Sequence, residues 1–227
     1  MTAVKEMRFA VEGAGEVSAL LLRPKTAHGL LVLAHGAGAG MRHSFLESLA
    51  AELAEAGVAT FRYQFPYREQ RRMAPDRLPV LKATVKAAVA AGAKAMPELP
   101  LFAGGKSMGG RMTSHAAAEG LLPEIKGIVF FGFPLHPPKQ PSTKRADHLT
   151  NVEMPMLFLQ GTRDTLAELT LLRPVCAKLG ARATLQIIET ADHSFHVLKS
   201  SGKSDAEVMQ ELAQTAGLWM GKKISST

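Results

Sequence analysis

The residues best suited to chemistry lie in Gly105-Lys106-Ser107-Met108-Gly109, which fits G-x-S-x-G. The apolar run Leu101–Ala103 precedes this motif and a helical pattern reaching Gly120 follows it, so Ser107 stands at a strand-to-helix turn. A serine there takes a strained backbone, and a Cβ two residues to either side would collide with neighbouring main chain, which accounts for both glycines. Such a turn lifts the hydroxyl clear of a sheet. It also leaves the Met108 amide at a helix N-terminus, able to face a developing oxyanion. The chemistry this suits is nucleophilic attack on a carbonyl. A serine hydroxyl is almost wholly protonated at neutral pH, so it needs a base, and the base needs a group to orient it.

Five histidines follow the serine: His115, His136, His148, His193 and His196. His115 lies inside the next helix and points along it, while His136 and His148 fall in the Pro- and Lys-rich stretch His136–Asn151, the least structured by pattern. His193, in Ala191-Asp192-His193-Ser194-Phe195, comes just past the last strand, Thr184–Ile188, at the sheet edge where the serine turn opens. It is the expected base, with His196 as the fallback. The expected orienting carboxylate is Asp164, in Gly161-Thr162-Arg163-Asp164 just past the strand Met156–Leu159. Both then stand at the C-terminal ends of strands, where open parallel sheets build their sites. Singly, Asp164 reads as a helix cap and His193 as a surface loop residue. With the serine turn, the order Ser…Asp…His reads as nucleophile, orienter and base.

A second glycine-rich element, His35-Gly36-Ala37-Gly38-Ala39-Gly40, follows the strand Gly29–Ala34. Small residues let backbone approach a bound substrate and leave an amide free, that of Ala37. Two phosphate-binding readings fail on spacing. A P-loop needs a glycine five positions before Gly105, where Pro100 stands. A dinucleotide fingerprint would put its third glycine at Met41, and Phe61-Arg62-Tyr63 supplies no acidic residue at the end of the next strand.

The elements that must position these residues alternate strand and helix patterns, the signature of an α/β domain around a mainly parallel sheet. Met7–Val11 and Val17–Leu22, joined through Gly13 and Gly15, read instead as an antiparallel hairpin. Helices are expected after a capping box at Ser44–Glu47, over Leu78–Ala95, after a second box at Thr165–Glu168 with Pro174 kinking or restarting it, and after a third at Ser204–Glu207. The last helix is expected to turn Val208, Leu212 and Leu218 toward the sheet, with Trp219 in the core. The sketch is a hairpin plus β-α repeats, about eight strands, in a single domain over residues 1–227.

Composition bounds the rest. The 227 residues carry a net charge of +7 with 46% apolar and 21% charged residues, which excludes a disordered chain. The basic residues form neither a tail nor an amphipathic run, so no nucleic-acid partner is expected. Cys176 is the single cysteine, which excludes an internal disulfide or a cysteine-rich zinc site, and a buried helix position is expected for it. Lys5, Glu6 and Arg8 interrupt any signal-peptide core and no apolar run could span a bilayer, so a cytoplasmic protein with no membrane partner is expected.

These motifs resemble the α/β-hydrolase superfamily. Ser107, Asp164 and His193 match its triad, and the amides of Ala37 and Met108 match its oxyanion donors. The resemblance runs from about Gly29 to the C-terminus and takes in the N-terminal hairpin. Gly104–Arg111 (GGKSMGGR), Asp192–Phe195 (DHSF) and Phe65-Pro66-Tyr67 are similar to the small dienelactone-hydrolase-like group that includes testis-expressed protein 30-like proteins. Dienelactone hydrolases proper carry cysteine where this chain has Ser107. The resemblance implies a serine hydrolase that cleaves a small ester, thioester or lactone through an acyl-enzyme, without metal or cofactor. The alternative is a catalytically silent scaffold or binding module on the same fold. Only about Leu135 to Glu153 stands where larger relatives insert a cap, so an open site is expected. The loops around it carry Arg62, Arg68, Arg71, Arg72, Arg77, Lys139, Lys144, Arg145 and Arg163, with Lys106 in the turn itself. These either select an anionic acyl substrate or form a solvated face.

Overall fold

The computed structural model describes residues 4–225. The short apolar runs become β1 (Val4–Val11), β2 (Gly15–Leu22), β3 (Gly29–Ala34), β4 (Val58–Tyr63), β5 (Leu101–Lys106), β6 (Ile128–Phe131), β7 (Met156–Gly161) and β8 (Ala183–Ile188). The longer periodic stretches become α1 (Ser44–Glu55), α2 (Pro66–Glu69), α3 (Leu78–Ala95), α4 (Met108–Ala118), α5 (Leu169–Leu179) and α6 (Asp205–Ser225). One sheet holds all eight strands in the order β1-β2-β4-β3-β5-β6-β7-β8. The β1–β2 and β2–β4 pairings are antiparallel and the others parallel, as the hairpin-plus-repeat reading expects.

The two faces of the sheet are covered separately, because alternate residues of a strand point to opposite sides. Leu30 and Val32 join Phe130 and Phe158 under α3, α4 and α5. Leu31 and Leu33 join Phe102 and Phe131 under α1 and α6. Central strands buried on both faces must be apolar throughout, which is why β3 and β6 carry no polar side chain. Residues 132–155, between β6 and β7, add a 3₁₀ stretch at Lys144–Asn151 and no lid. No helix among the described residues is long and apolar enough to cross a membrane.

Several local expectations are corrected. Helix α1 is capped by His43 rather than Ser44. The His43 carbonyl already accepts from Leu46 and Glu47, and its ring Nδ1 accepts the Phe45 amide at 3.3 Å. Thr165–Glu168 is no capping box, because Asp164 takes the Leu166 amide on its carboxylate and the Ala167 amide on its carbonyl. That segment is therefore a turn around Asp164, and α5 starts at Leu169 behind Glu168. Pro174 sits inside α5 without ending it, at an exposed position where water can take the Thr170 carbonyl that lacks a donor. In α6, Leu218 is 70% exposed and Trp219 is buried in its place, its indole N–H donating to Thr184 Oγ1. Leu218 lies six residues past Leu212, about 240° around the helix and off the buried stripe. The Ser204–Glu207 box forms, with the Ser204 hydroxyl and the Glu207 carboxylate exchanging hydrogen bonds with each other's amides. Cys176 is buried in α5, as expected.

The stretch His136–Asn151 is ordered, contrary to its loop-like composition. Leu149 and Val152 enter the core, and His148 Nε2 bonds the Ser114 hydroxyl of α4 at 2.8 Å.

Candidate active site

Strand β5 runs into α4 through Ser107 alone, which holds φ 52° and ψ −117°, an uncommon conformation for a residue with a side chain. The motif glycines are sterically required. A Cβ at Gly105 would lie 2.4 Å from the Ala34 carbonyl oxygen, and one at Gly109 would lie 2.6 Å from the same atom. The turn is thus wedged against the end of β3, and α4 begins directly beneath the serine.

The expected Ser107, His193 and Asp164 meet in a continuous relay. The Ser107 hydroxyl donates to His193 Nε2 at 2.8 Å, and His193 Nδ1–H donates to Asp164 Oδ2 at 2.7 Å. This assignment follows from the partners, because a carboxylate only accepts and so fixes the proton on Nδ1. Burial would raise the Asp164 pKa, yet the bond and charge of His193, the Leu166 amide and the Lys106 ammonium hold it below the usual carboxylate range. Asp164 is thus an anion at neutral pH.

The turn that carries Asp164 and the loop that carries His193 are laced together. The Arg163 amide donates to the Ala191 carbonyl at 2.9 Å, and the Thr190 amide to Thr162 Oγ1 at 2.8 Å. Asp192 closes the histidine loop by accepting the amides of Ser194 and His196. Among the described residues, none of the other histidines bonds Ser107 or Asp164, although His196 lines the same cavity as the relay. His115 and His148 stack on each other at 3.6 Å, His136 is buried against Glu168, and the fallback His196 is exposed and bonded to Asp205.

Around Ala37 the chain makes a turn in which the Ala39 amide donates to the Gly36 carbonyl, with Gly38 at φ 73°. The Ala37 amide takes no part in that bond, and the Met108 amide, first in α4, has no helical carbonyl to bond. The turn abuts the serine, since a Cβ on Gly36 would lie 3.7 Å from Ser107 Cβ.

Two groups escaped the sequence reading. Gln160 is a buried polar residue at the end of apolar β7; its amide N–H donates to Asp164 Oδ2 and its oxygen accepts the Phe133 amide. The signal was present, as a glutamine in the run MLFLQ needs a buried partner. His35 is fully buried, donating from Nδ1 to the Gly36 carbonyl at 2.8 Å and accepting the Phe65 amide on Nε2 at 3.2 Å. Burial pushes its pKa down to about 4 despite the Gly36 bond, so it stays neutral and anchors the Ala37 turn to the segment after β4.

Four of the arginines expected in loops are engaged in structure. Arg62 lies within β4, only 3% exposed, and donates to the Met41 carbonyl. Arg72 pairs with Asp76, Arg68 donates to the Arg72 carbonyl, and Arg163 donates to the Thr190 carbonyl. Lys106 is half-buried at the cavity wall with its ammonium bonded to the His193 carbonyl, as described below. Over the relay opens a cavity of about 690 Å³, with Phe45, Leu46, Leu166, Phe195 and Met209 among its walls. No arginine is among the described residues that line it.

A family model described as an alpha/beta hydrolase domain matches residues 27–221, most of the chain. The protein belongs to the α/β-hydrolase family, and its Gly105–Gly109 turn carries serine at position 107. Among solved structures, a dienelactone hydrolase from Anabaena variabilis is 21% identical, with a TM-score of 0.76 over 97% of this chain and 98% of that one. A lid-less α/β serine hydrolase from Xanthomonas campestris is 17% identical, with a TM-score of 0.74 over 96% of each chain. Est1E from Butyrivibrio proteoclasticus, solved with ferulic acid bound, is 17% identical, with a TM-score of 0.73 over 96% of this chain and 99% of that one.

Proposed function

We propose that this chain is a serine hydrolase that cleaves a small, uncharged ester, thioester or lactone through an acyl-enzyme. The observation that carries the reading is the unbroken Asp164–His193–Ser107 hydrogen-bond relay opening into a mostly apolar cavity. Ser107 Oγ attacks the acyl carbonyl while His193 Nε2 takes its proton, and Asp164 stabilises the imidazolium that results. The Ala37 and Met108 amides receive the oxyanion, each such donor being worth about 2.7–4 kcal/mol of barrier. His193 returns its proton to the leaving group, then activates water to release the acid. The scheme calls for no metal or organic cofactor.

Cavity size and walls support the substrate class. About 690 Å³ suits a small organic molecule, and apolar walls suit an apolar acyl group. The engagement of Arg62, Arg68, Arg72 and Arg163 with main-chain carbonyls and Asp76, and of the cavity-lining Lys106 with the His193 carbonyl, argues against selection of an anion.

The test is intact-mass analysis after exposure to a fluorophosphonate, for the unaltered protein, Ser107→Ala and His193→Ala. One adduct per chain is expected in the unaltered protein, with none in either variant over the same exposure. A folded protein that takes no adduct would instead be the scaffold of the alternative reading.

A further inference from the structure

We propose that Lys106 is a positioning residue for His193, its ammonium pinning the His193 main chain so that the ring spans Ser107 and Asp164. The inference rests on the serine-hydrolase reading and goes beyond it, because Lys106 is no member of the relay.

Lys106 ends β5 and is the chain neighbour of Ser107, yet its side chain reaches the loop after β8. Its Nζ–H donates to the His193 carbonyl oxygen at 2.5 Å. The ammonium lies 5.5 Å from the Phe195 ring centre and 5.7 Å from that of Phe45, and the two rings stack on each other at 5.9 Å. Gly132, just past β6, forms another wall. A Cβ there would come 3.2 Å from Lys106 Nζ and 3.5 Å from His193 Nδ1, so glycine leaves room for ammonium and imidazole side by side.

Holding an ammonium partly out of water costs free energy, and a methionine would fill the same space without that cost. The contacts that offset it are a charge-assisted bond and two aromatic faces. The charge-assisted bond falls on the main chain of His193. Asp192 orders the amides of Ser194 and His196, and Lys106 holds the His193 carbonyl, the other end of the Ser194 peptide group. The charged groups acting on Lys106 are Asp164, from the turn after β7, and Asp192, from the histidine loop. Burial pushes Lys106 down to about 8 against the pull of both carboxylates, so it is charged at neutral pH and discharges just above. A misplacement of about 1 Å in a reacting group costs about 100-fold in rate. Release of the carbonyl should therefore lower the rate of acylation and leave substrate binding nearly unchanged.

The experiment pairs two readouts on the unaltered protein, Lys106→Met and Lys106→Arg. Proton NMR follows the downfield imidazole proton that His193 donates to Asp164, and fluorophosphonate labelling and ester turnover are timed on both sides of pH 8. In Lys106→Met the downfield signal should broaden or vanish, and labelling should slow by about 10–100-fold with KM almost unmoved. Lys106→Arg, which keeps a cationic donor, should recover part of both. The unaltered protein's rate should bend downward near pH 8, a bend missing from Lys106→Met.

A sharp signal and an unaltered rate in Lys106→Met would overturn the proposal. So would an effect confined to KM for anionic esters, which would make Lys106 a substrate contact. Should Lys106→Met fail to fold, the pH bend of the unaltered protein and the behaviour of Lys106→Arg decide instead. A protein with the downfield signal but no labelling refutes the hydrolase reading, while the signal in Lys106→Met still decides the role of Lys106.

Discussion

Two imidazole–carboxylate pairs in this protein are built inside out from one another. In His193–Asp164 the carboxylate side chain is 1% exposed and the imidazole 23%, whereas in His136–Glu168 the imidazole is 0% exposed and the carboxylate 42%. The first arrangement leaves Nε2 facing a cavity and a serine hydroxyl. In the second, Nδ1 meets the Pro137 carbonyl and Nε2 meets Glu168, so neither nitrogen is left to accept a proton from elsewhere. A base in catalysis needs one nitrogen held and the other open. The same two residue types therefore leave one imidazole open to a serine and a cavity and lock the other between two loops, and burial decides which.

The sharpest way to break this comparison is to neutralise each carboxylate. Asp164→Asn should lower ester turnover by about 10⁴-fold, because an amide N–H pointed at Nδ1 favours the wrong tautomer. Glu168→Gln should leave turnover near that of the unaltered protein, and comparable losses from both would erase the distinction. A smaller effect is expected from Gln160→Leu, which removes a donor from the buried Asp164 carboxylate. Hydrogen bonds to charged groups contribute about 1.5–3 kcal/mol, so kcat/KM should fall about 10–100-fold, mostly in kcat. His136→Ala should cost about 1–3 kcal/mol in a urea titration without slowing fluorophosphonate labelling.

The mildest test concerns pH. Burial pushes His148 down to about 3 and His115 to about 4, helped by Arg111 and, at His148, by its stacked partner. The unfolded chain, with histidines near 6.5, then binds more protons than the native one. Stability contributed by these groups is full above about pH 6.5 and is lost as the pH falls toward 4, with His35 adding to the trend. Calorimetric Tm should drop over that window, and less steeply in His148→Gln. Equal slopes would mean that the stacked pair is not a source of the acid sensitivity.

Parts of this molecule could be read without coordinates because the constraint was local. Strand alternation, the hairpin glycines and the G-x-S-x-G turn each depend on a few adjacent residues, and sterics at Gly105 and Gly109 permit little else. The order Ser107, Asp164, His193 was legible because each lies just past the end of a strand. Capping at Ser44 and Thr165 misled, since Ser, Thr and Glu at cap spacing also occur where a neighbouring His43 or Asp164 takes the amides first. Leu218 was misplaced because hydrophobicity names a candidate for the core and only helix phase selects the stripe.

What the tertiary structure alone decided is which polar groups face one another across long sequence distances. Lys106 and His193, 87 positions apart, meet through a glycine gap at Gly132 and two stacked rings, and no local pattern encodes that encounter. Gln160 and His35 acquire their roles in the same way, as buried donors and acceptors that must find partners once water is excluded. The sequence by itself determined the sheet, the serine turn and the residue types able to act. Packing determined their environment, because desolvation and hydrogen-bond partners exist only when distant segments have closed on each other.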